Sequence, residues 1–297
     1  MFDCRFFCGS GLKICGIAGD FVPEACFWFF FRLNLRRIMD RQRNMAATDA
    51  RDSLVIIPTY KEEENIAAII DAVMALNTPM DVLVIDDSSP DRTASIVRAK
   101  MNEYPGRVNL VERPGKQGLG TAYLAGFDWA LQRPAYNYIF EMDADFSHNP
   151  ADLEKLRQAC ADGADMSVGS RYVSGVNVVN WPMGRVLMSY FASKYVRIVT
   201  GLPVHDTTAG FVCYTRRVLE ALPLKEVRFK GYAFQIEMKF TAHKYGFRIA
   251  EVPIIFVNRV LGTSKMSSGI FGEAVFGVVR LKLGSLFRKY PDYRRKD

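Results

Sequence analysis

From Ser53 onward, short runs of apolar residues alternate with stretches in which apolar positions recur every three or four residues. Residues 53–58 (SLVIIP) predict a buried strand, and Ile66, Ile69, Ile70, Val73 and Leu76 then share one helical face. Residues 81–86 (DVLVID) predict a second strand, followed by a Ser/Pro/Asp turn and a helix reaching Tyr104. A third strand is expected over 108–112, a helix over 118–131, a fourth strand over 138–142, a helix from Pro150 and a strand over 165–169. Strands alternating with helices predict an α/β fold, a mainly parallel sheet flanked by helices on both faces. No internal repeat or long linker divides residues 51–297, which read as one nucleotide-type α/β domain with a C-terminal elaboration.

The first fifty residues break this pattern. They are rich in Cys and Phe and lack periodicity, so residues 1–50 are expected to form a poorly ordered extension, with Met39 and Met45 close to the first strand. Residues 14–31 are fairly apolar, but Asp20, Pro23 and Glu24 interrupt any signal or anchor core. Cys4, Cys8, Cys15 and Cys26 match no paired zinc spacing, and Cys160 and Cys213 stand in apolar surroundings as expected buried thiols. A reducing compartment follows.

Charge changes the picture only by its location. The chain carries 39 Lys plus Arg against 32 Asp plus Glu, yet residues 51–279 hold 25 of each. The excess lies in residues 1–50, at +2, and in residues 280–297, at +5. A neutral body with a short basic tail does not make the positive face that nucleic acid requires. The tail suits anionic lipid or plain solvation. No uncharged apolar run approaches the roughly 20 residues of a membrane span.

The chemistry gathers at the ends of predicted strands, where open parallel sheets bind ligands. Thr59-Tyr60-Lys61-Glu62 follows the first strand, Asp86-Asp87 the second and Asp143-Ala144-Asp145 the fourth. Asp143 and Asp145, two apart, are expected to present both carboxylates to one side. Carboxylates held so close repel unless a cation joins them, and oxygen-only donors suit Mg²⁺ or Mn²⁺ with positions left for substrate phosphate. Asp87 is placed to accept from a nucleotide ribose. There is no GxGxxG after the first strand and no Walker lysine, so the expected ligand is a metal-bridged nucleoside diphosphate.

In order, PTYKEEENI (58–66), DDSSPDRT (86–93), GKQGLGTAYLAGF (115–127), MDADFSHNP (142–150), GSRYV (169–173) and NRVLGTSK (258–265) resemble the dolichol-phosphate (polyprenol-phosphate) mannosyltransferases, inverting enzymes of glycosyltransferase family 2 with the GT-A fold. The resemblance runs from about residue 53 to 282, and implies a catalytic domain over 51–268 with an amphipathic helix and basic tail over 269–297. It implies that Pro58, Tyr60, Glu62, Ile85 and Asp87 line a guanosine pocket, and that Asp143 and Asp145 bind the metal, with Ala144 beside the sugar nucleotide. Ser147 stands where relatives place a further metal ligand. Arg171, Arg259 and Lys265 match cations that hold the donor diphosphate and acceptor phosphate, while Arg185 and Ser189 match positions facing the lipid phosphate. The implied reaction moves mannose from GDP-mannose to a polyprenyl or dolichyl phosphate. That acceptor is already anionic, so no His is expected as general base. His148, His205 and His243 are read as structural or surface groups, and Asp206 and Glu237 as candidate positioning groups.

The acceptor lives in a bilayer, and two amphipathic segments supply contact without a span. One covers 184–201; the other carries Val275, Val279, Leu283, Leu286, Phe287 and Tyr290 on one expected helical face, with Arg280, Lys282, Arg288 and Lys289 around it. Packing against the catalytic domain is the equal alternative for the second segment. The expected location is cytoplasmic, peripheral at the cytosolic face of a membrane, with a membrane partner subunit as a further option. The competing functions are a UDP-glucose-dependent polyprenyl-phosphate glucosyltransferase, a polysaccharide-elongating family member and a non-catalytic nucleotide-sugar binding subunit.

Overall fold

The computed structural model describes residues 51–229, 231, 233–258 and 269–294. The expectations for residues 1–50 and for Arg259 and Lys265 lie outside the described residues.

Seven strands form the main sheet in the order β3-β2-β1-β4-β7-β5-β8: β1 (Ser53–Thr59), β2 (Asp81–Asp86), β3 (Val108–Glu112), β4 (Tyr138–Glu141), β5 (Met166–Ser170), β7 (Val212–Thr215) and β8 (Ile249–Pro253). Strands β6 (Val178–Val179) and β9 (Phe256–Val257) pair in parallel as a small second sheet. The helices are α1 (Ile66–Met74), α2 (Thr93–Glu103), α3 (Leu119–Leu131), α4 (Asp152–Ala161), α5 (Met183–Thr200), α6 (Arg216–Ala221), α7 (Ala233–Lys244) and α8 (Gly269–Leu286). The mainly parallel α/β architecture expected from the sequence is present. β7 departs from the pattern: it runs antiparallel to both β4 and β5.

β1 and β2 are buried on both faces, and this is why they read as continuous apolar runs. One face packs on α3 and α7 through Tyr123, Phe127, Tyr214 and Phe234, the other on α1 and α4 through Ile69, Val73, Leu153 and Leu156. At Gly126 of α3, a Cβ would lie 2.7 Å from the Ile56 side chain, so that helix lies close on β1 only because the residue is glycine. The thiols of Cys160 and Cys213 are buried and free, as expected.

The C-terminal segment differs from its expectation. Helix α8 ends at Leu286, so Phe287 and Tyr290 do not extend its face. Tyr290 meets Tyr245 edge-on at 5.8 Å, and Tyr293 stacks on Tyr245 and Phe247 at 5.8 and 5.3 Å. The Tyr293 N–H donates to the Tyr245 carbonyl at 2.8 Å, and Arg217 donates to the Tyr293 carbonyl. Arg288 pairs with Glu226 at 2.9 Å. Tyr290 and Tyr293 therefore dock residues 288–294 on the domain as a strap, while Arg288, Lys289 and Arg294 stay exposed.

Candidate active site

Because β4 and β5 are each antiparallel to β7, they run parallel to one another and to β1 and β2. The carboxyl ends of all four, and the loop that enters β7, therefore share one edge of the sheet. Along that edge come Asp86-Asp87, Thr59-Tyr60, the 142–148 loop, the 205–211 loop and Arg171.

At one end, Asp86 is fully buried and accepts from the Thr59 hydroxyl at 2.7 Å, the Ser89 N–H at 2.8 Å and the Ser89 hydroxyl at 2.6 Å. It ties the β1 and β2 turns together. Asp87 is buried against Arg113, whose Nε donates to Oδ1 at 2.7 Å, and its Oδ2 accepts from the Gln117 N–H at 3.4 Å. Pro58 and Ile85 are register partners across β1 and β2. The Tyr60 ring has the Lys61 and Lys116 ammonium groups 5.7 and 5.3 Å from its centroid. Glu62 donates its N–H to Thr93 Oγ1 at 3.0 Å and accepts from Asn65 at 3.3 Å. The structure thus gathers Pro58, Tyr60, Glu62, Ile85 and Asp87 at adjoining strand ends.

β4 stops at Glu141, so Asp143 and Asp145 belong to a loop and strand alternation does not orient them. Phe146 in that loop holds φ of 57°, and Lys61 and Ser88, in the loops after β1 and β2, hold 57° and 51°. Left-handed conformations cost a non-glycine residue energy, and here three of them collect at one sheet edge. Asp145 Oδ1 accepts both the N–H of Ser147, at 3.1 Å, and its hydroxyl, so that hydroxyl is turned to the carboxylate. Ala144, Asp145 and Ser147 are buried, and Asp143 is half-buried.

His148 is buried behind this loop. Its Nδ1 accepts the Asp143 N–H at 3.3 Å, and its ring stacks on Phe211 at 4.7 Å with Phe256 edge-on at 5.4 Å. Burial drives its pKa down to about 4, so the ring is neutral with Nδ1 as acceptor. This is the structural role expected for it.

Arg171 follows β5. Its Nε and one terminal nitrogen grip Asp206 at 2.6 Å each, its N–H reaches Asp206 at 3.0 Å, and Thr208 Oγ1 accepts at 3.0 Å. The rings of Tyr172, Phe256 and Trp181 lie 5.2, 5.5 and 5.6 Å from the guanidinium carbon. Arg185 stacks over Trp181 at 4.0 Å and donates to Asn258 at 3.1 Å, and Ser189 accepts the Tyr172 hydroxyl at 2.8 Å. Arg171, Arg185 and Ser189 therefore share one aromatic cluster with Asp206. Glu237 is elsewhere in role: it accepts the N–H groups of Arg228 and Phe229 at 2.9 and 3.0 Å, which fixes the loop before α7.

Several side chains that hold the site residues are not visible in the sequence. Arg113 gives no periodic signal and is identified only by its contact with Asp87. Glu251 accepts the backbone N–H groups of His205 and Asp206 at 2.7 and 3.0 Å and meets His205 Nδ1 at 2.7 Å, which holds the turn that presents Asp206. Glu141, Tyr214, Gln235 and Lys239 form a buried polar group under the 142–148 loop. Gln235 and Lys239, four apart in α7, share one helical face, but the polar residues spread around that helix hide the pair in the sequence.

The model of the glycosyl transferase family 2 matches residues 54–222. A polyprenol monophosphomannose synthase of Mycolicibacterium smegmatis is 47% identical over 76% of this chain and 85% of that protein. An undecaprenyl-phosphate mannosyltransferase of Micrococcus luteus is 45% identical over 78% of this chain and 94% of that protein. Among solved structures, glucosyl-3-phosphoglycerate synthase from Mycobacterium tuberculosis in complex with Mn²⁺, UDP and glucosyl-3-phosphoglycerate superposes with a TM-score of 0.58 at 20% identity, covering 84% of each chain. That likeness extends to the fold, the GT-A type. The mainly parallel sheet, the strand-end clusters and these relatives agree, and the chain belongs to glycosyl transferase family 2.

Proposed function

We propose that this enzyme transfers mannose from GDP-mannose to a polyprenyl phosphate such as dolichyl phosphate, with inversion, to give polyprenyl-phosphate β-mannose. The observation that carries the reading is the 47% identity, over 85% of its length, to a protein named polyprenol monophosphomannose synthase. The site geometry supports it from two sides. Asp87, Tyr60 and Glu62 flank one end of the sheet edge for the nucleoside, and the Arg171, Arg185 and Ser189 cluster flanks the other for the acceptor phosphate. The 142–148 loop leaves β4 between them, and β4 and β5 are separated only by β7, so the strand ends that carry this loop and Arg171 lie roughly 10 Å apart, two strand spacings.

The donor set of the 142–148 loop fits a hard divalent ion, Mg²⁺ or Mn²⁺. It offers oxygen only, from Asp143 and Asp145, with the Ser147 hydroxyl turned onto Asp145. Two carboxylates leave positions that substrate phosphate would fill on such an ion. When bound, such an ion stabilises charge on the departing nucleoside diphosphate. Asp143 and Asp145 would hold it, Ala144 would border the sugar nucleotide, and Arg171, Arg185, Arg259 and Lys265 would balance the phosphates. His148 cannot serve as base while its Nδ1 accepts the Asp143 N–H. A phosphate nucleophile, already deprotonated, needs none.

Contact with the bilayer is peripheral in this reading. Among the described residues no helix is long and apolar enough to cross a membrane. Instead α5 exposes Met183, Leu187, Met188 and Phe191, and α8 with the residue after it exposes Phe276, Leu283, Leu286 and Phe287. The two helices pack together through Val196 and Val278, and each presents apolar side chains outward, with Lys194, Arg280 and Lys289 exposed on the same two helices and the residues that follow.

The test incubates the protein with Mg²⁺, a short polyprenyl phosphate and, separately, labelled GDP-mannose and UDP-glucose, and counts label in the lipid phase. Label from GDP-mannose alone supports the reading. Label from UDP-glucose supports the glucosyl alternative, and label from neither supports a binding subunit.

A further inference from the structure

We propose that Lys239 is a positioning residue that clamps the donor side of the site to its acceptor side, touching neither substrate. The inference rests on the transferase reading above for its kinetic consequence, and on geometry for its structural one. Lys239 is fully buried in the middle of α7. Its Nζ donates to the Ala209 carbonyl at 2.6 Å, to the Gln235 carbonyl at 3.2 Å and to Gln235 Oε1 at 3.4 Å, so all three N–H groups have acceptors. Gln235 Nε2 in turn donates to Glu141 Oε2 at 2.5 Å, and the Tyr214 hydroxyl donates to Glu141 Oε1 at 3.3 Å.

Each end of this chain of bonds terminates at a different half of the site. Glu141 is the last residue of β4, directly before the loop that carries Asp143 and Asp145. Ala209 closes the turn that begins at Asp206, its N–H donating to the Asp206 carbonyl at 3.4 Å, and Asp206 grips Arg171. A packing role alone does not account for the ammonium. Burying a charge carries a large desolvation penalty, and a methionine would fill the same volume without one. Burial pushes Lys239 down to about 8 and Glu141 up to about 8, with Glu141 and then Asp206 the charges that oppose the fall at Lys239. Lys239, bonded to the Ala209 carbonyl on one side and through Gln235 to Glu141 on the other, holds the two strand ends at a set separation.

The experiment compares wild type with Lys239→Met and Gln235→Leu, with Met238→Leu as a control in the same helix. Gln235→Leu removes the link to Glu141 and leaves the ammonium in place. Two measurements are made on each folded protein: native-state amide exchange, and steady-state kinetics with GDP-mannose and a short polyprenyl phosphate. In both test variants the N–H groups of Arg171 and Asp143 should exchange about tenfold faster relative to those of Val55 and Val84 in the central strands. kcat should fall about 30-fold with both KM values within about threefold, the pattern of a group that aligns bound substrates. Met238→Leu should change neither.

Uniform loss of protection across the protein, or kcat within about threefold of wild type in a folded variant, overturns the proposal. So does failure of both test variants to fold, which would assign Lys239 to the core. A wild type that transfers no mannose defeats the functional reading instead. In that case the exchange measurement still decides the clamp, since it requires no turnover.

Discussion

Asp206 holds Arg171 by two side-chain bonds of 2.6 Å and a third from the Arg171 backbone, inside a ring of Tyr172, Trp181 and Phe256. Arg171→Met would leave Asp206, which has no exposed surface, without its counter-charge, at a cost of about 3–5 kcal/mol. Burial by itself would raise the Asp206 pKa, but the Arg171 charge and hydrogen bonds outweigh it and hold the carboxyl below its usual range. A carboxyl depressed in the folded state contributes stability above its unfolded pKa of about 4 and loses it as pH falls through the folded value. Melting temperatures of wild type should therefore drop below about pH 4 more steeply than those of the Arg171→Met/Asp206→Leu double variant. The double variant should also recover most of the stability lost in Arg171→Met without recovering transfer. Parallel melting curves would deny the pair its role.

The apolar surface of α5 and α8 predicts a separation of binding from folding. Leu187, Phe191, Leu283 and Phe287 are exposed, Phe287 by 92%, so changing all four to Ser should leave the melting temperature within about 2 °C. Each exposed side chain that enters a bilayer interface contributes on the order of 1 kcal/mol or more. Co-sedimentation with anionic liposomes should then weaken by more than tenfold. Arg280→Gln with Lys289→Gln should weaken it further at low salt than at high. Unchanged sedimentation of the Ser variant would mean that the surface has another purpose.

The C-terminal strap yields a stability prediction. Tyr293 stacks on Tyr245 and Phe247 while its backbone bonds Tyr245. Tyr293→Ala should destabilise by about 2–3 kcal/mol in urea unfolding, as loss of a largely packed aromatic does. A freely solvated tail would give less than about 0.5 kcal/mol.

Most of the fold was legible because β1, β2 and β3 are short apolar runs bounded by turn residues, and both ends of β2 and β3 fall at the predicted positions. The chain after Ser170 was harder. β7 is only four residues long and antiparallel, and α7 is buried nearly all round, so neither shows alternation or an apolar stripe. The strand-end acids were visible as motifs, yet their partners were not. Arg113 for Asp87, Asp206 for Arg171 and Lys239 near Glu141 are 26, 35 and 98 residues away, and such pairs appear only when strand order brings them together. The helical face expected to include Tyr290 failed because a break after Leu286 sends the chain back onto Tyr245, a tertiary contact that periodicity does not carry.

If Asp143 and Asp145 hold the divalent ion, Asp145→Asn keeps the acceptor for the Ser147 N–H but removes one ligand charge. Mn²⁺ binding, read by water-proton relaxation with GDP present, should weaken at least tenfold, and transfer should fall by about 10²-fold or more. His148 acts through the Asp143 N–H, so His148→Gln, whose amide oxygen can still accept, should stay within about tenfold of wild type. His148→Phe, which cannot, should lose more through misplacement of the loop. Neither variant should introduce a new limb into the pH–rate profile between pH 6 and 8, because a phosphate nucleophile arrives without a proton to remove. Direct attack opposite the leaving nucleoside diphosphate turns an α-linked donor into a β-linked lipid product, which anomeric coupling in the isolated product reads out. An α-linked product would defeat single displacement, and full activity of Asp145→Asn with divalent ions chelated would defeat the metal role.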